Sequence, residues 1–354
     1  MRRAALVGYG DVAVIHVEAF DAIDDIELVG VCDTDPAALA LASESTGVPG
    51  YASLAELLAA ARPDVVHVTT PHDQHVDPTL QCLAAGVHVI QEKPLAHTIA
   101  EGQRLVDWAS ADGTRPGAPK LGVCLQNRYN VSSIELRRLL DSGELGAVQG
   151  AYASVVWTRT PEYYLAKPWR GQADRAGGGL LINQAIHTLD LLQWFLGDVV
   201  GVRGHVSTDR YAAVSEVEDT AQMLLTHASG VETAFYGTLT APTHRPVEIE
   251  LDCENAYVTL RDGLTVRWSD GRVDQYAERA VPSSGRTYWG VSHELLIRDF
   301  YDRLDDPEPF WIGPAEAMKS LRILKRTYEV SAGLEVSPEP SPQARPRPQA
   351  KEQQ

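Results

Sequence analysis

A lysine ahead of a proline and three polar side chains on an apolar segment carry the chemistry available to this sequence. The stretch GGGLLINQAIHTLD (177–190) opens on three glycines and then turns apolar, yet it holds Asn183, His187 and Asp190 at spacings of four and three. On an α-helix such positions share one face. The remaining positions, Leu181, Ile182, Ile186, Leu189, Leu192 and Phe195, are apolar nearly all round, as in a buried helix. A polar stripe there costs free energy unless it meets partners or a ligand. The plain reading is a core histidine satisfied by Asp190; the other is the ligand-facing wall of a cleft. Lys93 stands in VIQEKPLAHT between Glu92 and Pro94, at the end of a strand-like run. Proline disfavours helical geometry at Lys93 and can support a cis bond, so the ammonium is aimed by a rigid turn.

These groups need a scaffold, and the first 125 residues describe one. Apolar runs AALVG, ELVGVCD, DVVHVTT, VHVIQ and KLGVCL alternate with helix-like segments. Continuous rather than alternating apolar strands imply a parallel sheet covered on both faces, a doubly wound α/β domain. Directly after the first strand, LVGYGDVA matches Gly8-x-Gly10-x-x-Ala13, with Asp11 and Val12 completing the turn into a helix. Such glycines let backbone N–H groups approach a pyrophosphate, which the helix N-terminus attracts. The next strand ends on Asp33, placed to accept hydrogen bonds from ribose hydroxyls. Asp33 is followed by Thr34 and Asp35, with no Arg or Lys to receive a 2′-phosphate, so NAD is expected in preference to NADP. Thr70, Pro71, His72 and His75 in VTTPHDQH lie at the carboxyl end of another strand, the edge where ligands bind in open α/β sheets.

From about residue 147 the texture changes to strand-like runs split by Ser229-Gly230, Asp262-Gly263 and Asp270-Gly271, which read as hairpins of an antiparallel sheet. Helices interrupt it at about 132–142 and 180–196 and again near the end. The expected organisation is a Rossmann domain over 1–125 and an α+β domain over 126–336 with an open sheet covered by helices on one face. A disordered Pro-rich tail is expected over 337–354. A formal net charge of −17 over 354 residues, with no basic cluster in the body of the chain, argues against nucleic-acid binding. The four cysteines include no CxxC pair, so reduced thiols, no metal site and a cytoplasmic location are expected. No apolar run is long enough to span a membrane.

Taken in order, GYGDVA, TPHDQH, EKP and the glycine-led helix with its histidine resemble the glucose–fructose oxidoreductase/inositol dehydrogenase (Gfo/Idh/MocA) family of nicotinamide-dependent sugar oxidoreductases. The resemblance spans roughly residues 3 to 332. It implies that Lys93 is the catalytic lysine and that His187 lies across the cleft on the second domain. It also implies that NRYN (with Arg128 and Tyr129) and PWRG (with Trp169 and Arg170) border the cofactor and substrate, and that Glu92 belongs with the cofactor residues. The family often has Asp where this chain has Asn183, and often Asn at the position of His72. An amide cannot exchange a proton, so Asn183 can only position a hydroxyl.

The expected activity is oxidation of a secondary hydroxyl of a sugar or cyclitol by NAD, or reduction of the matching ketone. His187, with an unperturbed pKa of about 6.5, is expected to take the proton, oriented from behind by Asp190, while Lys93 acts mainly as a cation. Trp157 or Trp169 would stack on the substrate ring. The glycines of 177–179 would allow close approach to the cofactor. A homodimer or homotetramer through the second sheet is expected. Two alternatives stay open: a reductase of an activated or antibiotic-pathway keto-sugar, with Arg128 and Arg170 as the cations for a phosphate, and a non-catalytic sensor on the same fold.

Overall fold

The structure, a computed structural model, describes residues 1–279 and 292–333; the tail expected over 337–354 lies outside the described residues. Six parallel strands, β1 (Arg2–Val7), β2 (Ile26–Cys32), β3 (Gly50–Tyr51), β4 (Val65–Val68), β5 (His88–Gln91) and β6 (Leu121–Val123), lie in the order β3-β2-β1-β4-β5-β6. The apolar runs are buried on both faces, as their lack of alternation requires: every residue of β4 and β6 is buried. Helices α1 (Ala13–Asp21), α2 (Pro36–Thr46), α3 (Leu54–Ala61), α4 (Val76–Ala84) and α5 (Ile99–Ala111) connect these strands. Ser53 and Thr98 cap α3 and α5 by accepting from the N–H of Glu56 and Glu101, three residues on, as their S/T-x-x-E spacing dictates. The edge strand β3 carries no sequence signal, being only two residues long.

The second sheet has eight strands: β7 (Val148–Val156), β8 (Val199–Ser207), β9 (Thr220–His227), β10 (Glu232–Thr238), β11 (Glu248–Cys253), β12 (Ala256–Leu260), β13 (Gly263–Trp268) and β14 (Val273–Ala277). Their order is β14-β13-β12-β11-β7-β10-β9-β8. The three Gly-containing turns close hairpins β9–β10, β12–β13 and β13–β14. The sheet departs from a pure meander in one place, because β10 pairs with β7 in parallel. Along β10, Thr233 and Phe235 are buried and Glu232, Ala234 and Tyr236 exposed, so one face is covered and one is open.

Helices α6 (Val131–Ser142), α7 (Pro161–Leu165), α8 (Ala173–Ala176), α9 (Ile186–Leu196), α10 (Ser292–Asp302) and α11 (Pro314–Ser331) complete the chain. Helix α11 packs on β8 and α9 but also on α5, and α10 packs on α1. The last two helices therefore bind the two sheets' layers together, which fixes the relative placement of groups drawn from each half.

The polar segment is not one continuous α-helix. Residues Leu181–Ala185 form a π-turn that feeds into α9. A π-turn carries an extra residue, so the α-helical spacing that aligned Asn183 with His187 and Asp190 does not hold across it. The start of this segment is fixed by Glu218, a buried carboxylate that accepts from the N–H groups of Gly179 (2.7 Å) and Leu181 (2.9 Å) and from the Tyr328 hydroxyl (2.8 Å). The three glycines are explained by the same packing. A Cβ at Gly177 would overlap the His97 carbonyl, at Gly178 the Tyr328 ring, and at Gly179 the Glu218 backbone. The close approach these glycines permit is to the protein's own chain.

Candidate active site

The glycine loop follows β1 as expected. Gly8 has φ +90°, a region open to glycine, and a Cβ there would lie 2.9 Å from the Thr70 N atom. A Cβ at Gly10, in contrast, would meet nothing within 4 Å, so this side of the loop is open. Helix α1 begins without any side-chain cap and without an acidic residue in its first turn. An uncapped, unneutralised helix N-terminus beside an open glycine is a fit for a pyrophosphate. Asp33 sits at the end of β2 with Oδ2 accepting from the Tyr9 N–H (2.7 Å) and Oδ1 from the Asp35 N–H (2.8 Å), so its carboxylate is held against the loop. Asp35 caps α2 through the Ala37 N–H. Among the described residues no cation pairs with these two carboxylates at the strand end.

Lys93 follows β5, and the Lys93–Pro94 bond is cis. Its Nζ donates to the Asn183 carbonyl at 2.9 Å, across to the second half. Burial pushes the ammonium below its ordinary pKa, opposed by Glu92 and aided by Arg170. His187 lies near it, with Nε2 at 3.5 Å from Gln126 Nε2 and with no hydrogen-bond partner for Nδ1 among the described residues. Burial, then the Lys93 charge, lower the imidazole to about 3. Asn183 donates from Nδ2 to the Tyr163 hydroxyl (2.8 Å), as does the Gln184 amide (2.9 Å). Lys93, Asn183, His187 and Tyr163 are all partly exposed within otherwise buried surroundings, so one face joins an amine, an imidazole, an amide and a phenol.

Other expected site residues are engaged elsewhere. Asp190 does not back His187: its two oxygens accept from Arg128 Nε (2.8 Å) and Nη2 (2.7 Å), and Arg128 also reaches Glu316 (2.9 Å). Both side chains are buried and turned to each other. Tyr129 donates to Asp299 (2.6 Å) and receives Trp311 Nε1 (2.8 Å), which removes it from the cleft as well. Arg170 pairs with Asp11 at 2.9 Å and lies 4.5 Å from the Tyr163 ring centre, joining the glycine loop to the second half. His72 is buried and its Nδ1 meets the Ala176 carbonyl at 2.8 Å, while its ring packs edge-on to Trp169 at 4.9 Å. His75 is set between the carbonyls of Pro94 (2.8 Å) and Thr70 (2.9 Å). Thr70 closes the turn through Gln74, and Pro71 opens that turn. The side chains of these residues brace the strand ends. Glu92 is likewise enclosed, accepting from His16 (3.2 Å) and His293 (3.1 Å), and is not open to a ligand. Trp157 is buried and stacks on His244 with ring centres 4.7 Å apart, and the Arg159 guanidinium lies between it (5.3 Å) and Tyr163 (5.1 Å). Tyr163, Gln126 and Arg159 were not singled out from the sequence. Their signal was absent because each becomes relevant only through the tertiary contact.

A dinucleotide loop opposite a partly buried lysine, imidazole and amide defines a nicotinamide-dependent oxidoreductase acting on a hydroxyl. The comparisons agree. The oxidoreductase family with an NAD-binding Rossmann fold (Gfo/Idh/MocA) matches residues 2–116, and the Gfo/Idh/MocA C-terminal domain matches 134–259. The chain belongs to this family. It is 30% identical to the WlbA dehydrogenase of Chromobacterium violaceum, solved with NADH and UDP-GlcNAcA, with a TM-score of 0.80 over 94% of each chain. It is 29% identical over 334 residues to a putative UDP-kanosamine synthase oxidoreductase subunit of Amycolatopsis mediterranei (strain S699), covering 87% of this chain and 89% of that one. It is 32% identical over 199 residues to the D-glucoside 3-dehydrogenase of Escherichia coli (strain K12), covering 55% and 54%. The protein is an NAD-dependent oxidoreductase of the sugar and cyclitol dehydrogenase type, and not a non-catalytic sensor. None of the described helices is long and apolar enough to cross a membrane.

Proposed function

We propose that Lys93, and not His187, exchanges the proton with the substrate hydroxyl. NAD, when bound, supplies the hydride acceptor. The glycine loop from Gly8 to Ala13 holds its pyrophosphate on the α1 N-terminus, and Asp33 takes the adenosine ribose hydroxyls. As hydride leaves the carbinol, its hydroxyl proton passes to the Lys93 amine, leaving a carbonyl. The single observation that carries this is the Lys93 Nζ contact with the Asn183 carbonyl at 2.9 Å, which turns the amine onto the face it shares with Asn183, His187 and Tyr163. Burial lowers both groups, the imidazole to about 3 and the lysine from its ordinary value, which leaves the imidazole a weak acceptor near neutrality. Lys93 Nζ meets only a backbone carbonyl in the hydrogen bonds described, a contact it can exchange for a substrate oxygen. His187 stays neutral and, with Asn183 and Tyr163, orients the hydroxyl by hydrogen bonding.

The substrate is a sugar or cyclitol with a free secondary hydroxyl. A nucleotide-linked sugar is the second reading, favoured by the Trp157–His244 stack and the adjoining Arg159. These offer an aromatic surface and a cation beside Tyr163, and the relative solved with UDP-GlcNAcA matches nearly the whole chain. Arg128, already held by Asp190 and Glu316, is not available for that purpose. Absorbance at 340 nm with NAD and a panel of pyranoses, cyclitols and UDP-linked sugars tests both readings. Turnover of free sugars alone favours the first, turnover of UDP-sugars alone the second, and no turnover on any member refutes the pair.

The same reading assigns the protein to the cytoplasm, supported by four free cysteines, three of them buried. It assigns a homodimer or homotetramer built on the open face of the second sheet, where Tyr152, Tyr236 and Tyr257 stand exposed.

A further inference from the structure

Beneath the lysine lies a buried polar chain that the proton transfer described above does not use. His16 comes from α1, His67 from β4, Glu92 from the end of β5, and His293 and Tyr301 from α10, all of them buried. With Glu92 ionised, the hydrogen bonds take one consistent placement of protons. The Tyr301 hydroxyl donates to His67 Nε2 (2.9 Å), His67 Nδ1–H to His16 Nδ1 (2.8 Å), and His16 Nε2–H to Glu92 Oε1 (3.2 Å). His293 Nε2–H donates to the same oxygen (3.1 Å), and the backbone N–H of Lys93 to Glu92 Oε2 (3.2 Å). Three donors therefore converge on one carboxylate, and nothing in this arrangement requires Glu92 to carry a proton. Such a core is stable when the group is an anion and strained when it is neutral.

We propose that Glu92, caged by His16 and His293, is a positioning residue for the proton transfer: a permanent buried anion that sets the charge of the adjoining Lys93. The proposal rests on the assignment of Lys93 as the proton acceptor. A buried ammonium with no carboxylate nearby would lose its proton far below its ordinary pKa. The groups that face Lys93 are Glu92 and Cys124 on its own sheet edge, His72 and His75 from the turn after β4, Arg170 from the turn of PWRG, and His187 from α9. Of these only Glu92 is held as an anion: burial opposes its charge, but the hydrogen bonds from His16 and His293 outweigh burial and keep the carboxyl well below the usual range. Burial keeps the Cys124 thiol protonated. Removing the Glu92 charge leaves burial, and after it the Arg170 charge, acting on Lys93, so the lysine must titrate lower.

The test uses Glu92→Gln and Glu92→Asp with two readouts. One is the pH profile of kcat/KM. The other is the pH dependence of Lys93 acylation by acetic anhydride in the unliganded protein, read by peptide mass spectrometry. Glu92→Gln is expected to move both midpoints down by about 1 unit or more, and Glu92→Asp to restore them. Midpoints that stay in place in Glu92→Gln overturn the proposal. If the acylation midpoint moves while the rate profile shows no limb at all, the charge-setting role stands and Lys93 as proton acceptor fails. Should Glu92→Gln not fold, His293→Phe carries the test, since loss of one donor must raise the pH of acid unfolding; an unmoved acid midpoint overturns the caged anion.

Discussion

Asp190→Ala separates a structural role from a catalytic one at the position where sequence spacing pointed to catalysis. The Arg128 and Asp190 side chains are each 1% exposed and joined by two charge-assisted hydrogen bonds. Removing one partner of a buried ion pair costs about 3–5 kcal/mol, because the remaining charge is left without its counter-ion. Here Glu316 still reaches Arg128 at 2.9 Å from a side chain 25% exposed, so the lower end, about 3 kcal/mol, is expected. At roughly 2 °C per kcal/mol for a large domain, the melting temperature should fall by about 6 °C. Thermal unfolding followed by circular dichroism measures this. Since Asp190 touches Arg128 and not His187, the pH profile of kcat/KM in the folded variant should match wild type. A melting temperature within about 2 °C of wild type, together with a displaced pH limb, would refute the reasoning and return Asp190 to the role of orienting His187.

Gly10→Ala should leave the melting temperature unchanged without cofactor, because its Cβ meets open space, yet weaken NAD binding by at least about tenfold; calorimetric titration checks both halves. Asp33→Ala should narrow the preference for NAD over NADP, and a Kd for NADP tighter than that for NAD in the unmodified protein would contradict the assignment. Stability should also depend on Glu92 in acid. Its carboxyl is lowered on folding, so the stabilisation is fully present above the unfolded value of about 4.3 and lost as pH falls through the folded value. The stability difference between wild type and Glu92→Gln should therefore shrink as pH falls below about 4.3, and a difference that grows in acid would be incompatible with that sign. Light scattering at micromolar concentration should report a dimer or larger, and a monomeric mass would remove the open face of β7, β10 and β12 as an interface.

Periodic and local features could be read directly from the sequence. The unbroken apolar runs required a doubly covered parallel sheet, S/T-x-x-E spacings placed two helix starts, and three Gly-containing dipeptides marked hairpins. The glycine loop and Asp33 depend only on neighbours along the chain, and both stand where expected. The polar stripe held only in part: the π-turn Leu181–Ala185 breaks the regular spacing between Asn183 and the later two residues, and Asp190, though it shares α9 with His187, is drawn to Arg128. Asn183 and His187 still share the face with Lys93, where they meet Tyr163 and Gln126, while Asp190 meets Arg128, two environments in place of one. The triple glycine looked like a cofactor approach because sequence cannot tell close packing against a ligand from close packing against Glu218 and Tyr328. The cage around Glu92 was invisible for a similar reason: His293 lies 201 residues further along the chain, and only the return of α10 onto α1 brings it there.

The central claim is that the Lys93 amine takes the proton, and the pH dependence of kcat in single variants tests it most directly. For oxidation, wild type should show a rate that rises with pH to a plateau as the ammonium is lost. Lys93→Met should lose about 10²–10⁴-fold and the limb with it. His187→Ala should be slower yet keep the limb, because a neutral imidazole contributes orientation and not proton transfer. A limb that disappears in His187→Ala and persists in Lys93→Met would contradict the account and make the histidine the base.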